Sequence, residues 1–172
     1  MEPEAIKSSV YDEQSLQDNV VKVFRSAKVV KGGRRFSFSA LVVVGDRAGT
    51  VGIGYAKANE VPQSVEKAIK EAKKALYKVT LFERTIPHQV SSKYGATKVT
   101  MVPAGPGTGV IAGSAVRAVL ELAGVQDVLT KVYGGSSAKN VVKATLKGLL
   151  KLRSKEMVEA SRGVTVNVVK KM

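Results

Sequence analysis

Apolar and polar positions keep a period of two from Phe36 to Val44. Phe36, Phe38, Ala40, Val42 and Val44 fall on one side, and Ser37, Ser39, Leu41 and Val43 on the other. That spacing predicts a strand with one clearly buried face. Upstream, Val21, Val23 and their neighbours from Val20 predict another strand, and residues 28–35 read as a basic, glycine-containing loop between the two. A turn at Gly45-Asp46 to Gly49 leads into Thr50-Val51-Gly52-Ile53-Gly54-Tyr55, where Val51, Ile53 and Tyr55 share a face and the other face is bare glycine. The period then changes. Val61, Val65, Ala68, Ile69, Ala72 and Leu76 form a helical stripe that ends near Val79, with Pro62 in the first turn, where its missing N–H costs nothing. The first unit is β-β-β-α.

A second unit follows. Residues 85–91 and 97–102 predict a hairpin around Lys93-Tyr94-Gly95. The Gly/Pro loop 103–109 opens a helix carrying Val110, Ile111, Ala115, Val119 and Leu122, which Gly124 stops where a positive φ is usually required. Residues 127–133 predict a strand, and Ser136 or Ser137 then caps a helix with Val141, Val142, Leu146, Leu149 and Leu150. The order is β-β-α-β-α. After Arg153 the pattern weakens into a basic tail with no assigned element. The fold class is α+β in two small domains, divided as an arm (1–18), a first domain (19–80), a second (81–153) and a tail (154–172).

Charge narrows the function. Among 172 residues, 28 Lys+Arg against 14 Asp+Glu give a net charge of +14. Such a surface attracts polyanions and releases their counterions on binding. Five of the acids (Glu2, Glu4, Asp12, Glu13, Asp18) lie in the polar arm. With no cysteine, the chain has no disulfides, thiol nucleophiles or Cys-based zinc sites, which suits a reducing compartment. No apolar run approaches the roughly 18 residues a membrane span needs. The acidic start carries no signal-like apolar core. A cytosolic protein with no membrane partner is expected.

Between Asp18 and Asp46 there is no acid, but six cations: Lys22, Arg25, Lys28, Lys31, Arg34 and Arg35. Tipped by Gly32-Gly33, they read as an extended positive finger whose glycines admit a phosphate and whose Arg forks can hold it bidentately. Lys57 is counted with them as an RNA-binding candidate. The blander alternative is a hairpin whose lysines blunt a sheet edge. The β-β-β-α order with a basic loop also resembles double-stranded-RNA-binding domains, which read A-form shape, so RNA is favoured over DNA.

The feature closest to an enzyme is Gly107-Thr108-Gly109-Val110-Ile111-Ala112, which fits the loose dinucleotide pattern G-x-G-x-x-A with Asp127 about twenty residues on. Asp127, however, begins the next strand, whereas the ribose-binding acid ends one. A tight turn packing against another chain, or RNA backbone contact, is the stronger reading. His88 has no Cys or second His partner, so no metal site is expected. Glu66 and Glu71 read as helix-surface residues among lysines. Arg117 is either an intrahelical partner of Glu121 or an interface residue. Phe36, Phe38 and Tyr55 have core spacing. No nucleophile–base constellation appears, and neither catalysis nor a cofactor is expected.

Longer motifs carry a resemblance. Lys28-Val29-Val30-Lys31-Gly32-Gly33-Arg34, Phe36-Ser37-Phe38, Val44-Gly45-Asp46 and Val51-Gly52-Ile53-Gly54-Tyr55 resemble the N-terminal domain of the bacterial ribosomal protein S5 family. Gly107-Thr108-Gly109-Val110-Ile111-Ala112-Gly113, Arg117-Ala118-Val119-Leu120-Glu121, Ala123-Gly124-Val125 and Asn140-Val141-Val142-Lys143-Ala144-Thr145 resemble its C-terminal domain, in the same order. The resemblance implies a double-stranded-RNA-binding-like first domain and a second with a left-handed β-α-β crossover. It implies a structural role in the small (30S) subunit, with contacts to 16S rRNA, to ribosomal proteins S4 and S8, and to messenger RNA where it enters. It also implies contributions to subunit assembly and decoding accuracy. The finger is similar to the family's RNA-contacting loop near the spectinomycin site, and Gly107, Gly109 and Arg117 to its S4-facing surface. Gly135-Ser136-Ser137-Ala138-Lys139 departs from the turn common in the family.

Overall fold

The computed structural model describes residues 16–166; most of the acidic arm and the last six residues lie outside that range. The first sheet consists of β1 (Gln17–Val30), β2 (Gly33–Gly45), β3 (Thr50–Ala58) and β4 (Leu76–Lys78), in that spatial order and antiparallel throughout. Helix α1 (Val61–Lys74) connects β3 to β4. The second sheet holds β5 (Val90–Tyr94), β6 (Thr97–Pro103), β7 (Val110–Ile111) and β8 (Val128–Gly134), ordered β5-β6-β8-β7. Helix α2 (Ser114–Ala123) links β7 to β8, which run parallel, while α3 (Ala138–Leu149) and α4 (Lys155–Arg162) follow. The α+β, two-unit architecture is the one expected.

β2 departs from expectation in having two buried faces. Every residue from Ser39 to Gly45 is buried. Ala40, Val42 and Val44 pack with Ala68 and Ala72 of α1. Leu41 and Val43 instead join a larger core that includes Val116, Val119 and Leu120 of α2. The first sheet is therefore covered by its own helix on one side and by the second unit on the other. The unbroken apolar run 40–44 carries that signal, since only a strand covered on both faces is apolar at consecutive positions.

Glycine on β3 sets how closely α1 lies on the sheet. A Cβ on Gly54 would stand 1.9 Å from the carbonyl oxygen of Ala68, so helix backbone occupies the space of a side chain. The bare face of β3 is where the helix backbone seats.

Several boundaries differ from the periodicity. α1 ends at Lys74, and Leu76, assigned to its stripe, instead begins β4 and is buried in the sheet. The first strand of the second unit starts at Val90 and not at Thr85, because Pro87 has no N–H to give a ladder. Val110 and Ile111 belong to β7, not to a helix; the Val128 N–H bonds Gly109 O at 3.1 Å and ties the segment to β8. Ser137 is the N-cap residue of α3, but its hydroxyl makes no capping bond. The stretch after Arg153 forms α4, where the Ser154 side chain accepts from the Met157 N–H, a local cap that hydrophobic periodicity does not register.

Replacing Gly54 by alanine should destabilise the fold by about 2–3 kcal/mol, because the helix must move off the sheet. Urea unfolding of the full chain measures this, and a loss below about 0.5 kcal/mol would mean that α1 shifts freely.

Candidate RNA interface

The basic residues sit on a β-ribbon and not on a loop. β1 and β2 stay paired out to Val30↔Gly33, leaving a two-residue turn of Lys31 and Gly32, with Gly32 at φ 91°. Val29 and Val30 extend the ladder because β-branched residues favour extended backbone. All residues from Arg25 to Phe36 are exposed, whereas the base of the same hairpin is buried. The structure brings Lys22, Arg25, Lys28, Lys31, Gly32, Gly33, Arg34 and Arg35 together on this ribbon, with Lys57 near the end of β3 opposite Ser39.

The register distributes the charge over both faces. Lys28 stands opposite Arg35 on the face that carries Ser37, Ser39 and Leu41. Arg25 and Arg34 lie on the other face with Phe36 and Phe38. Like charges directly opposed across a ladder cost stability in the free protein, a cost that a polyanion would remove. Arg25 stacks over the Phe36 ring at 4.9 Å and Lys22 over Phe24 at 5.5 Å. Phe36 is 44% exposed, so its assignment to the core is corrected: beyond the edge of α1 no second layer of the described residues covers it. Phe38 and Tyr55 are half-buried. The Ser26 hydroxyl, 3.0 Å from that of Ser37, pairs the strands between the charges.

Tyr55 joins the two units. Its ring meets Phe24 edge-on at 6.4 Å, and Lys139 of α3 places its ammonium 3.4 Å from the ring centroid. A hydrogen bond with Ser39, then the bond and charge of Lys139 and the charge of Lys57, hold the phenol below its ordinary value of 10.0, against the opposing effect of burial. The folded state thus favours the phenolate. This stabilisation is absent at neutral pH, emerges as pH rises through the lowered folded value, and is complete above the unfolded one.

The glycine loop is held from beneath. Gly107 and Gly109 have φ of 87° and 74°, and residues 105–108 are exposed. The Gly109 N–H bonds Asp127 Oδ1 at 2.8 Å, and Arg117 donates to Val110 O at 3.3 Å. Asp127 is 2% exposed; its Oδ2 accepts no hydrogen bond among the described residues and lies 3.8 Å from Arg84 Nε. The dinucleotide reading fails on this geometry. The loop runs into β7, with no helix N-terminus until Ser114, and the carboxylate that would hold a ribose is buried under the loop. Arg117 and the loop are brought together, but the finger belongs to the other sheet. His88 is exposed, with Nδ1 3.0 Å from Gln89 O and Nε2 accepting from the Arg153 N–H at 3.2 Å. Among the described residues no three His, Cys, Asp or Glu cluster as a metal site, and no helix is long and apolar enough to cross a membrane.

Sequence reasoning passed over Arg47 and the lysines on and just after α3. Arg47 has a positive φ of 56° in the β2–β3 turn that meets α2, and nothing in its residue type announces this. Lys139, Lys143, Lys147 and Lys151 recur every fourth residue, a signal that was present in the chain.

The comparisons agree with this architecture. Residues 16–80 match the family model for ribosomal protein S5, N-terminal domain, and residues 92–162 that for its C-terminal domain. A small ribosomal subunit protein uS5 from Rhodopirellula baltica is 57% identical over 152 residues, covering 88% of this chain and 86% of that protein. Proteins of the same name from Syntrophobacter fumaroxidans and Chromohalobacter salexigens are 53% and 52% identical, each covering 90% of this chain and 93% of the relative. The chain belongs to the ribosomal protein S5 family.

Two outcomes are expected. A difference titration of tyrosinate absorbance between the parent and Tyr55→Phe should have its midpoint below 10.0, with Ser39→Ala and Lys139→Gln each raising it. In Asp127→Ala, exchange of the Gly109 amide should quicken about tenfold, the equivalent of one lost hydrogen bond; an unchanged rate would show that the loop does not depend on Asp127.

Proposed function

We propose that this chain is a structural, non-enzymatic constituent of the small ribosomal subunit that binds 16S rRNA and docks chiefly by its cationic β-ribbon. The carrying observation is the exposed hairpin from Arg25 to Phe36, acid-free and rooted in a strand buried on both faces. Membership of the S5 family supports the ribosomal assignment, and with it a place in the cytoplasmic ribosome. Lys22, Arg25, Lys28, Lys31, Arg34, Arg35 and Lys57 contact phosphates, and Gly32 and Gly33 let the backbone of the tip come close. Charge on both faces suits insertion between two RNA segments better than lying on one.

In this reading residues 19–80 and 81–153 act as two RNA- and protein-facing domains, the left-handed crossover included in the second. Gly107, Gly109 and Arg117 form the side that meets ribosomal protein S4, ribosomal protein S8 is a further neighbour, and messenger RNA passes near where it enters the subunit. Exposure of residues 105–108 over a buried anchor supports a preformed docking loop. Contributions to assembly and decoding accuracy follow from a rigid body that braces RNA on one side and a protein on the other.

The test is joint charge reversal, Lys31→Glu with Arg34→Glu. Affinity for 16S rRNA should fall about 10- to 100-fold at physiological salt, with a shallower salt dependence. On sucrose gradients the unaltered protein should migrate with the small subunit and the variant should shift to light fractions. Unchanged affinity and migration would remove the finger from the interface.

A further inference from the structure

A second basic surface lies between the two units. The groove has a volume of about 880 Å³; Leu41, Ile53, Tyr55 and Tyr77 of the first sheet line one side, and α3 with Tyr94 of β5 the other. Lys139, Lys143, Lys147 and Lys151 all line it, against a single carboxylate, Glu71. Lys139, Lys143 and Lys147 follow one another by four residues of helix, which at 1.5 Å rise sets them roughly 6 Å apart along the axis, close to the repeat of phosphates along one nucleic-acid strand, and Lys151 follows just beyond the helix end at Leu149. Lys143 donates to the Tyr94 hydroxyl at 3.3 Å and lies 5.2 Å from the ring centroid; Tyr94 is 39% exposed.

A solvated helix face is the ordinary use for such lysines, with those near the helix C-terminus favoured by its dipole. It does not account for their turning into a groove walled by tyrosines. An acidic protein would match the charge but would leave the rings without flat partners. An unpaired nucleic-acid strand matches both, because each nucleotide brings one phosphate and one stacking face. We infer that the groove binds a single-stranded segment of ribosomal RNA, its phosphates along Lys143, Lys147 and Lys151 and its bases against Tyr77 and Tyr94. The inference rests on RNA binding by the chain but not on the finger.

The test uses the full chain and 16S rRNA. In Lys143→Gln/Lys147→Gln/Lys151→Gln, the slope of log affinity against log salt should fall by about 2, as loss of three single-strand phosphate contacts requires. A control with equal charge change on exposed strand residues, Lys93→Gln/Lys98→Gln/Lys131→Gln, should lose less than about 1. Ultraviolet cross-linking of the unaltered complex should place nucleotides on Tyr77 or Tyr94, which decides the matter even if the triple variant folds poorly. A groove variant no different from the control, or cross-links confined to residues 22–36, overturns the proposal. If the finger reversal still weakens binding in that case, the finger reading stands without the groove. If the groove variant alone lowers the slope, the groove stands without the finger.

Discussion

The last four carbonyls of α2, those of residues 120–123, receive their hydrogen bonds from two different parts of the chain. Leu120 and Glu121 are closed locally, by Val125 and Gly124, with Gly124 in the left-handed conformation at φ 95°. Leu122 and Ala123 accept from the Arg47 and Gly49 N–H groups of the β2–β3 turn at 2.9 and 3.0 Å. A helix end buried without such partners would cost the desolvation of each orphaned carbonyl. The turn is preset for this contact, since Asp46 Oδ1 accepts from the Ala48 and Thr50 N–H groups at 2.7 and 2.8 Å. No side chain could intervene: a Cβ on Gly45 would fall 2.3 Å from Leu122 O. Backbone meets backbone, so the two units are held in one orientation.

That junction explains how β2 can be buried on both faces yet carry an exposed, strongly cationic extension. The extension adds repulsion, between Lys28 and Arg35 above all, and contributes no core. Stability comes from residues 39–45, which lie between α1 and α2. The chain thus separates what folds it from what binds. A ribbon with like charges in register would splay if its base were a free-standing hairpin, whereas a base fixed on two sides holds the charges where an RNA can meet them. Preorganisation of this kind reduces the ordering cost of association.

Much of this could be read from the residues, and the failures other than α4 share a cause. The element order apart from β4, β7 and α4, the two units, the cationic finger and the stop at Gly124 follow from local pattern: period, charge and turn chemistry. The family resemblance carried the assignment to the ribosome, which no periodicity contains. What was misread depended on partners distant in sequence. Phe36 has core spacing but lies beyond the helix that would cover it. Val110 and Ile111 read as helix because their pairing with Val128 and Leu129 lies across α2. Leu76 continues a helical stripe while contributing to a sheet. Asp127 could be set aside as a ribose-binding acid from its place at a strand start, but its part as an anchor under the loop shows only in space. Arg47 gave no signal at all, since its part is played by its backbone.

The same junction also relates the two basic surfaces. Along β2 the face bearing Arg35, Ser37 and Ser39 continues to Leu41, and along β3 the face bearing Lys57 continues to Tyr55 and Ile53. Leu41, Tyr55 and Ile53 line the groove beside α3. One side of the first sheet therefore runs from the exposed ribbon past Lys57 and the Tyr55–Lys139 contact into the lysines of α3. Had the second unit packed on the α1 side of the sheet, this face would be open and the track would end at Lys57. Docking through the α2 C-terminus places α3 alongside instead, so an interaction made entirely by backbone groups decides where side-chain charge is presented. On the proposed reading, specificity for a folded RNA would come from the fixed spacing between the two positive surfaces, and that spacing is set where Arg47 and Gly49 meet Leu122 and Ala123.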